Sequence, residues 1–135
     1  MTVTYADGST STRPMGTPDP PLIHYIIVRR DIRRTVRGSG VGALAAQVAH
    51  AAGESFQSWE ARYHWTPRGT IACVLGVPDQ RAIKRVLKRL IDAGVKCNAI
   101  YEPDAPWNGA LMAIGVWPMA LSSPTRKVFK RLKLL

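Results

Sequence analysis

From residue 22 to residue 29 nearly every position is apolar, Leu-Ile-His-Tyr-Ile-Ile-Val before an arginine. So short and continuous a run predicts a strand covered on both faces. His24 interrupts it and reads as a buried or half-buried structural histidine. From Val41 to Ala61 the period changes. Leu44, Val48, Ala51, Ala52, Ser55, Phe56 and Trp59 recur at helical spacing, which predicts an amphipathic helix with Gln47, His50 and Glu54 on another side. A turn at Thr66-Pro67-Arg68-Gly69 leads into a second apolar run, Thr70 to Val77. Pro78 then opens a helix to about residue 93 that buries Ile83, Val86, Leu87, Leu90 and Ile91 and is ended by Gly94. A third strand, about Val95 to Tyr101, and a fourth, Ala110 to Trp117, are separated by so short a loop that an antiparallel return is expected. Ser122-Ser123-Pro124 caps a last, short basic helix.

The order strand, helix, strand, helix, strand, strand, helix predicts an α/β fold: a small mixed, mostly parallel, four-stranded sheet with helices packed on both faces. Ahead of it, residues 1–20 are rich in Thr, Ser, Gly and Pro, and Pro14, Pro18 and Pro20 bar a regular element from their half of the stretch. The organisation expected is a disordered or extended arm over 1–20 and one domain over 21–135.

Composition narrows the partners. Nineteen Lys and Arg stand against nine Asp and Glu, a formal charge of +10. Such a field favours a polyanion, with nucleic acid ahead of an acidic membrane surface. No apolar run approaches the length of a membrane span and no signal sequence opens the chain, so a cytoplasmic protein is expected. Cys73 and Cys97 sit in separate apolar runs without His or Cys at ligand spacing, which reads as two free thiols and no metal site. No cofactor is implied.

The candidate chemistry gathers where the first strand gives way to the first helix. The exit Arg29-Arg30-Asp31 is followed by Arg37 and the glycine loop Gly38-Ser39-Gly40-Val41-Gly42, whose amides at a helix start suit a phosphate or a developing oxyanion. The loop lacks both the P-loop Lys-Ser/Thr pair and the dinucleotide spacing. Gln47 and His50 follow at a spacing that shares a face, and imidazole is the commonest proton-transfer group near neutral pH. After the third strand, Glu102 and Asp104 bring two carboxylates into a chain otherwise poor in them. Arg81, Lys84, Arg85, Lys88 and Arg89 on one helix, with Arg126, Lys127, Lys130 and Arg131 near the end, form a candidate phosphate-tracking surface. Of Trp59, Trp65, Trp107 and Trp117, the first reads as core, and Trp107, in a polar loop, is the candidate for stacking on a base.

These segments resemble the type 2 peptidyl-tRNA hydrolases over about residues 22–135. The resemblance is carried by Tyr25-Ile26-Ile27-Val28-Arg29-Arg30-Asp31, by Leu44-Ala45-Ala46-Gln47-Val48-Ala49-His50-Ala51-Ala52, by Ala113-Ile114-Gly115 and by the ending Leu132-Lys133-Leu134-Leu135. It implies hydrolysis of the ester between a nascent peptide and tRNA, with tRNA as partner; a homodimer is compatible with it. Where the family has Gly-Lys-Gly-Lys, this chain has Gly40-Val41-Gly42-Ala43, leaving Arg37 as the one replacement charge. The family's Asp-Ala-Gly-x-Thr-Gln loop is replaced by a shorter one in which Glu102 lies nearest the family Asp and the Thr has no counterpart. The site expected is therefore catalytic His50, Glu102 and Asp104, with substrate held by Asp31, Arg37, Gly40, Gly42, Gln47, Lys84, Arg85, Lys88 and Trp107. Two other functions stay open: a non-catalytic tRNA or RNA binding module on the same fold, and an enzyme using the glycine loop for a phosphate ligand.

Overall fold

The computed structural model describes residues 2–4, 10–12, 22–35, 40–64 and 70–135. Within the N-terminal stretch, β1 (Thr2–Thr4) and β2 (Thr10–Thr12) pair antiparallel with each other. The domain proper begins with β3 (Leu22–Arg29), followed by α1 (Ile32–Thr35), α2 (Gly40–Tyr63), β4 (Ile71–Val77), α3 (Gln80–Asp92), β5 (Cys97–Glu102), β6 (Ala110–Val116), β7 (Met119–Ala120), a 3-10 helix (Pro124–Phe129) and β8 (Lys133–Leu134).

The sheet has six strands, not four, in the order β5-β6-β3-β4-β8, with β7 also on β3. Among the described residues only β3 and β4 run parallel and every other pairing is antiparallel, which corrects the expected mostly parallel sheet. α2 links the parallel pair. The chain then reaches the far edge through α3 and comes back through β6, which inserts between β5 and β3 rather than extending the sheet outward.

Helices cover both faces, as the doubly apolar β3 demands. Its residues alternate: Ile23, Tyr25 and Ile27 pack with Ile83, Val86 and Leu90 of α3, whereas Ile26 and Val28 pack with Leu44 and Ala51 of α2. His24 points to the α2 side, where its Nε2 is hydrogen-bonded to Ser55 Oγ (2.7 Å) and its ring meets Phe56 edge-on. Burial lowers its pKa to about 4, so it is a neutral core residue near pH 7. Trp59, fully buried beside Leu22, is core as expected. Both cysteines are free.

Two helix boundaries refine the sequence reading. Asp79 is the N-cap of α3, its Oδ1 accepting from the Ala82 amide (2.9 Å), so Pro78 stands before the cap instead of opening the helix. Ile91, expected in the core, is 63% exposed on the far side of α3. Ser123 and Pro124 do begin the last helix, but it is a 3-10 turn that ends before Lys130 and Arg131.

Candidate active site at the C-terminal ends of β3 and β5

β3 and β5 point the same way across the intervening β6, so Arg29 and Glu102 emerge at one end of the sheet, where α2 also begins. Arg29 is 6% exposed. Its Nε and Nη2 grip both oxygens of Asp31 at 2.8 and 2.7 Å, its Nη1 donates to the Leu111 carbonyl (3.3 Å), and its guanidinium lies 5.2 Å from the Trp107 ring centre. A buried cation needs such a set of partners. Arg29 thus fixes Asp31 and occupies one face of the Trp107 ring.

Asp31 opens onto a cleft of about 700 Å³ whose walls include Arg30, Arg33, Arg34, Leu44 and Pro78. Ile32 is fully buried beside Leu44 and Met112, and this anchors α1 under the cleft. Gly40 begins α2 directly on the Arg33 backbone; a Cβ there would collide with main-chain atoms of Arg33. Only glycine lets the helix start this close to the strand exit. Gly42, two residues in, is exposed with open space around it.

Gln47 departs from the expected polar face. It is 7% exposed and belongs to the buried side of α2 with Leu44, Ala51 and Ser55. Its Nε2 donates to Glu102 Oε2 (3.3 Å), while its Oε1 is buried with no hydrogen-bond partner among the described residues. A carboxylate only accepts, so the amide NH₂ must face Glu102 and the amide oxygen must face elsewhere. Glu102 is half-buried, and its other oxygen accepts from the Asp104 amide (3.3 Å). Asp104 shapes the loop through its carbonyl, which takes the amides of Trp107 and Asn108, while the residue itself is exposed. The Gly109 amide closes the loop on the Glu102 carbonyl (2.7 Å).

His50 is not brought into this group. It is exposed on α2 and makes no hydrogen bond to another described residue, so the shared face with Gln47 is not what the fold builds. Arg37, Gly38, Ser39 and Trp65 lie outside the described residues. Among the described residues no three His, Cys, Asp or Glu side chains come together as metal ligands, and no helix is long and apolar enough to cross a membrane.

Residues 22–135 match the family described as peptidyl-tRNA hydrolase PTH2. The chain belongs to that family. A search of curated proteins finds no match. In this PTH2 chain two of the segments that carried the resemblance, the strand ending in Arg29-Arg30-Asp31 and the helix carrying Gln47, meet the loop opened by Glu102, where the chain departs from the family, at one end of the sheet.

The basic residues divide. Lys84, Arg85 and Lys88 are all exposed on α3, but Lys88 is paired with Asp92 (2.9 Å), whose hydrogen bond and charge raise the lysine pKa. Arg126 is not a free surface cation: it donates to the Tyr25 hydroxyl (3.0 Å) and to the Leu121 carbonyl. Arg29 was missed as a site residue. An arginine ending a strand apolar on both faces, two residues before an aspartate, was the available signal.

Proposed function

We propose that this protein hydrolyses the ester linking a peptide to the terminal ribose of tRNA, with Glu102 as general base and Gln47 as the residue that orients its carboxylate. The observation carrying this reading is the Gln47–Glu102 pair: a half-buried carboxylate at the strand ends that accepts from the amide NH₂ of a buried glutamine. A water on the open side of Glu102 would donate one hydrogen to the carboxylate that Gln47 holds in place and aim a lone pair outward.

In this scheme the water oxygen adds to the acyl carbon as Glu102 takes its proton. Negative charge develops on the former carbonyl oxygen, where the amides of the first turn of α2, Gly40 to Ala43, which have no partner within the helix, can meet it. Side chains on a helix lean toward its N-terminus, so the Gln47 amide tilts back toward that turn. The acyl–oxygen bond then breaks, Glu102 returns the proton to the ribose oxygen, and the products are the peptide acid and tRNA with a free terminal hydroxyl. Asp31, locked by Arg29, and the cations Arg30, Arg33 and Arg34 around the adjoining cleft hold the nucleotide end of the substrate. Asp104 and Trp107 shape the loop that carries Glu102.

Gln47→Leu tests this reading. Hydrolysis of N-acetyl-aminoacyl-tRNA should fall about ten- to a hundredfold in kcat with KM unchanged, as expected when a reacting atom loses its alignment. A variant with wild-type kcat would remove Gln47 from the chemistry.

A further inference from the structure

The cleft at Asp31 does not end at Arg30. Arg30 and Pro78 also line a second cleft of about 710 Å³ between α3 and the C-terminal strand β8. Five cations border it, Arg30, Arg85, Arg89, Arg131 and Lys133, and no carboxylate does. Among the described residues none of the last four has its side chain hydrogen-bonded or ion-paired. Between the cations the walls are apolar, formed by Val77, Pro78, Val86 and Leu132.

Arg30 makes the junction. Its Nη2 donates to the Leu134 carbonyl (2.6 Å), tying β8 to the exit of β3, and its guanidinium lies on Gly76 of β4. A Cβ at Gly76 would stand 2.5 Å from Arg30 Nε and 2.6 Å from its Cζ. Gly76 therefore lets the guanidinium lie close against the sheet, where it borders both clefts.

We propose that this basic trough binds the unpaired 3′-terminal nucleotides of the tRNA, with their phosphates on Arg85, Arg89, Arg131 and Lys133 and the strand crossing Arg30 to deliver its last ribose to the cleft at Asp31. The proposal rests on the hydrolase reading for its direction and on the trough for its ligand. Arg85 and Arg89 are one helical turn apart, about 6 Å along α3, which suits successive phosphates of one strand. A duplex would offer the trough only outer phosphates and leave its apolar walls bare, whereas an unpaired strand also brings ribose and base faces. The remaining cations of α3, Arg81, Lys84 and Lys88, line neither cleft.

The test uses two labelled RNAs, a single-stranded oligonucleotide ending in CCA and a blunt duplex of the same sequence, with the full-length protein. Arg89→Glu and Arg131→Glu change exposed residues and leave the core intact. Arg62→Glu, at the far end of α2, makes the same charge change away from the trough. Each trough variant should bind the single strand at least about tenfold more weakly and lower the log–log salt slope by about one, as removal of a phosphate contact requires. Arg62→Glu should bind like wild type, and the single strand should outcompete the duplex. With N-acetyl-aminoacyl-tRNA the trough variants should raise KM and leave kcat unchanged. Wild-type binding by the trough variants, an equal loss in Arg62→Glu, or equal affinity for the duplex would overturn the proposal. A wild-type protein that binds the strand through these arginines but releases no amino acid would overturn the hydrolase reading and leave the trough standing.

Discussion

Arg29 is the position where the site and the fold depend on the same side chain, so Arg29→Met separates this account from one in which the strand exit is only a charged surface. The substitution keeps most of the buried volume and removes the bidentate pair with Asp31, the bond to Leu111 and the cation over Trp107. Breaking a fully buried ion pair by deleting one partner costs about 3–5 kcal/mol. The Asp31 side chain is 26% exposed, so once released it regains part of its hydration; a loss of about 2–3 kcal/mol is expected. For a domain of this size that lowers Tm by roughly 10 °C. The assay is urea unfolding of four proteins, wild type, Arg29→Met, Asp31→Asn and the double variant, with no change of m-value required by the argument. The double variant should cost less than the sum of the singles, with a coupling of about 1–2 kcal/mol. An Arg29→Met penalty below about 0.5 kcal/mol, or additive singles, would refute the claim that Arg29 clamps Asp31.

Three further outcomes are expected. His24 titrates near 6.5 when unfolded and at about 4 in the fold because burial disfavours its cation. The unfolded chain therefore binds the proton first, and stability is full above about pH 6.5 and falls as pH drops toward 4, by about 3 kcal/mol in all. His24→Gln should flatten that stretch of the pH profile in thermal melts, and an unchanged profile would contradict the assignment. His50→Ala, at an exposed position without a hydrogen-bond partner, should lose far less than the hundredfold that general acid–base groups contribute at minimum. A loss of that size in its kcat would return His50 to the chemistry. Asp104→Asn should leave both kcat and folding close to wild type, because the loop uses the carbonyl of Asp104 and not its carboxylate; a collapse of kcat would exchange its role with that of Glu102.

The elements legible in the sequence are those with long, clean periodicity. The doubly apolar β3, the 24-residue α2 and the cation-studded α3 announce themselves, and the short loop before Ala110 gives the antiparallel return of β6. β7 and β8 were not legible, because two-residue strands carry no periodicity. The parallel character of the sheet was overread from the alternation of strands and helices: nothing local in β6 says that it will insert between β5 and β3. At the site, Glu102, Asp31 and Gln47 stood out by residue type and place. The partition of Gln47 from His50 did not, because residues three apart on a helix differ by about 60° in direction and only packing decides which of the two is buried. The clamp from Arg29 needed the third dimension too, since its contacts to Leu111 and Trp107 span about 80 residues of chain.

The most direct measurement is the release of N-acetyl-amino acid from N-acetyl-aminoacyl-tRNA by wild type and Glu102→Gln, with tRNA affinity measured on the same preparations. The account predicts turnover by wild type, a loss of at least about a hundredfold in Glu102→Gln, and equal tRNA affinity in the two, because the change leaves the basic trough and the cations around Asp31 untouched. Turnover by Glu102→Gln at the wild-type rate would contradict the assigned base. A wild-type protein that binds tRNA and releases nothing would contradict the hydrolase reading itself.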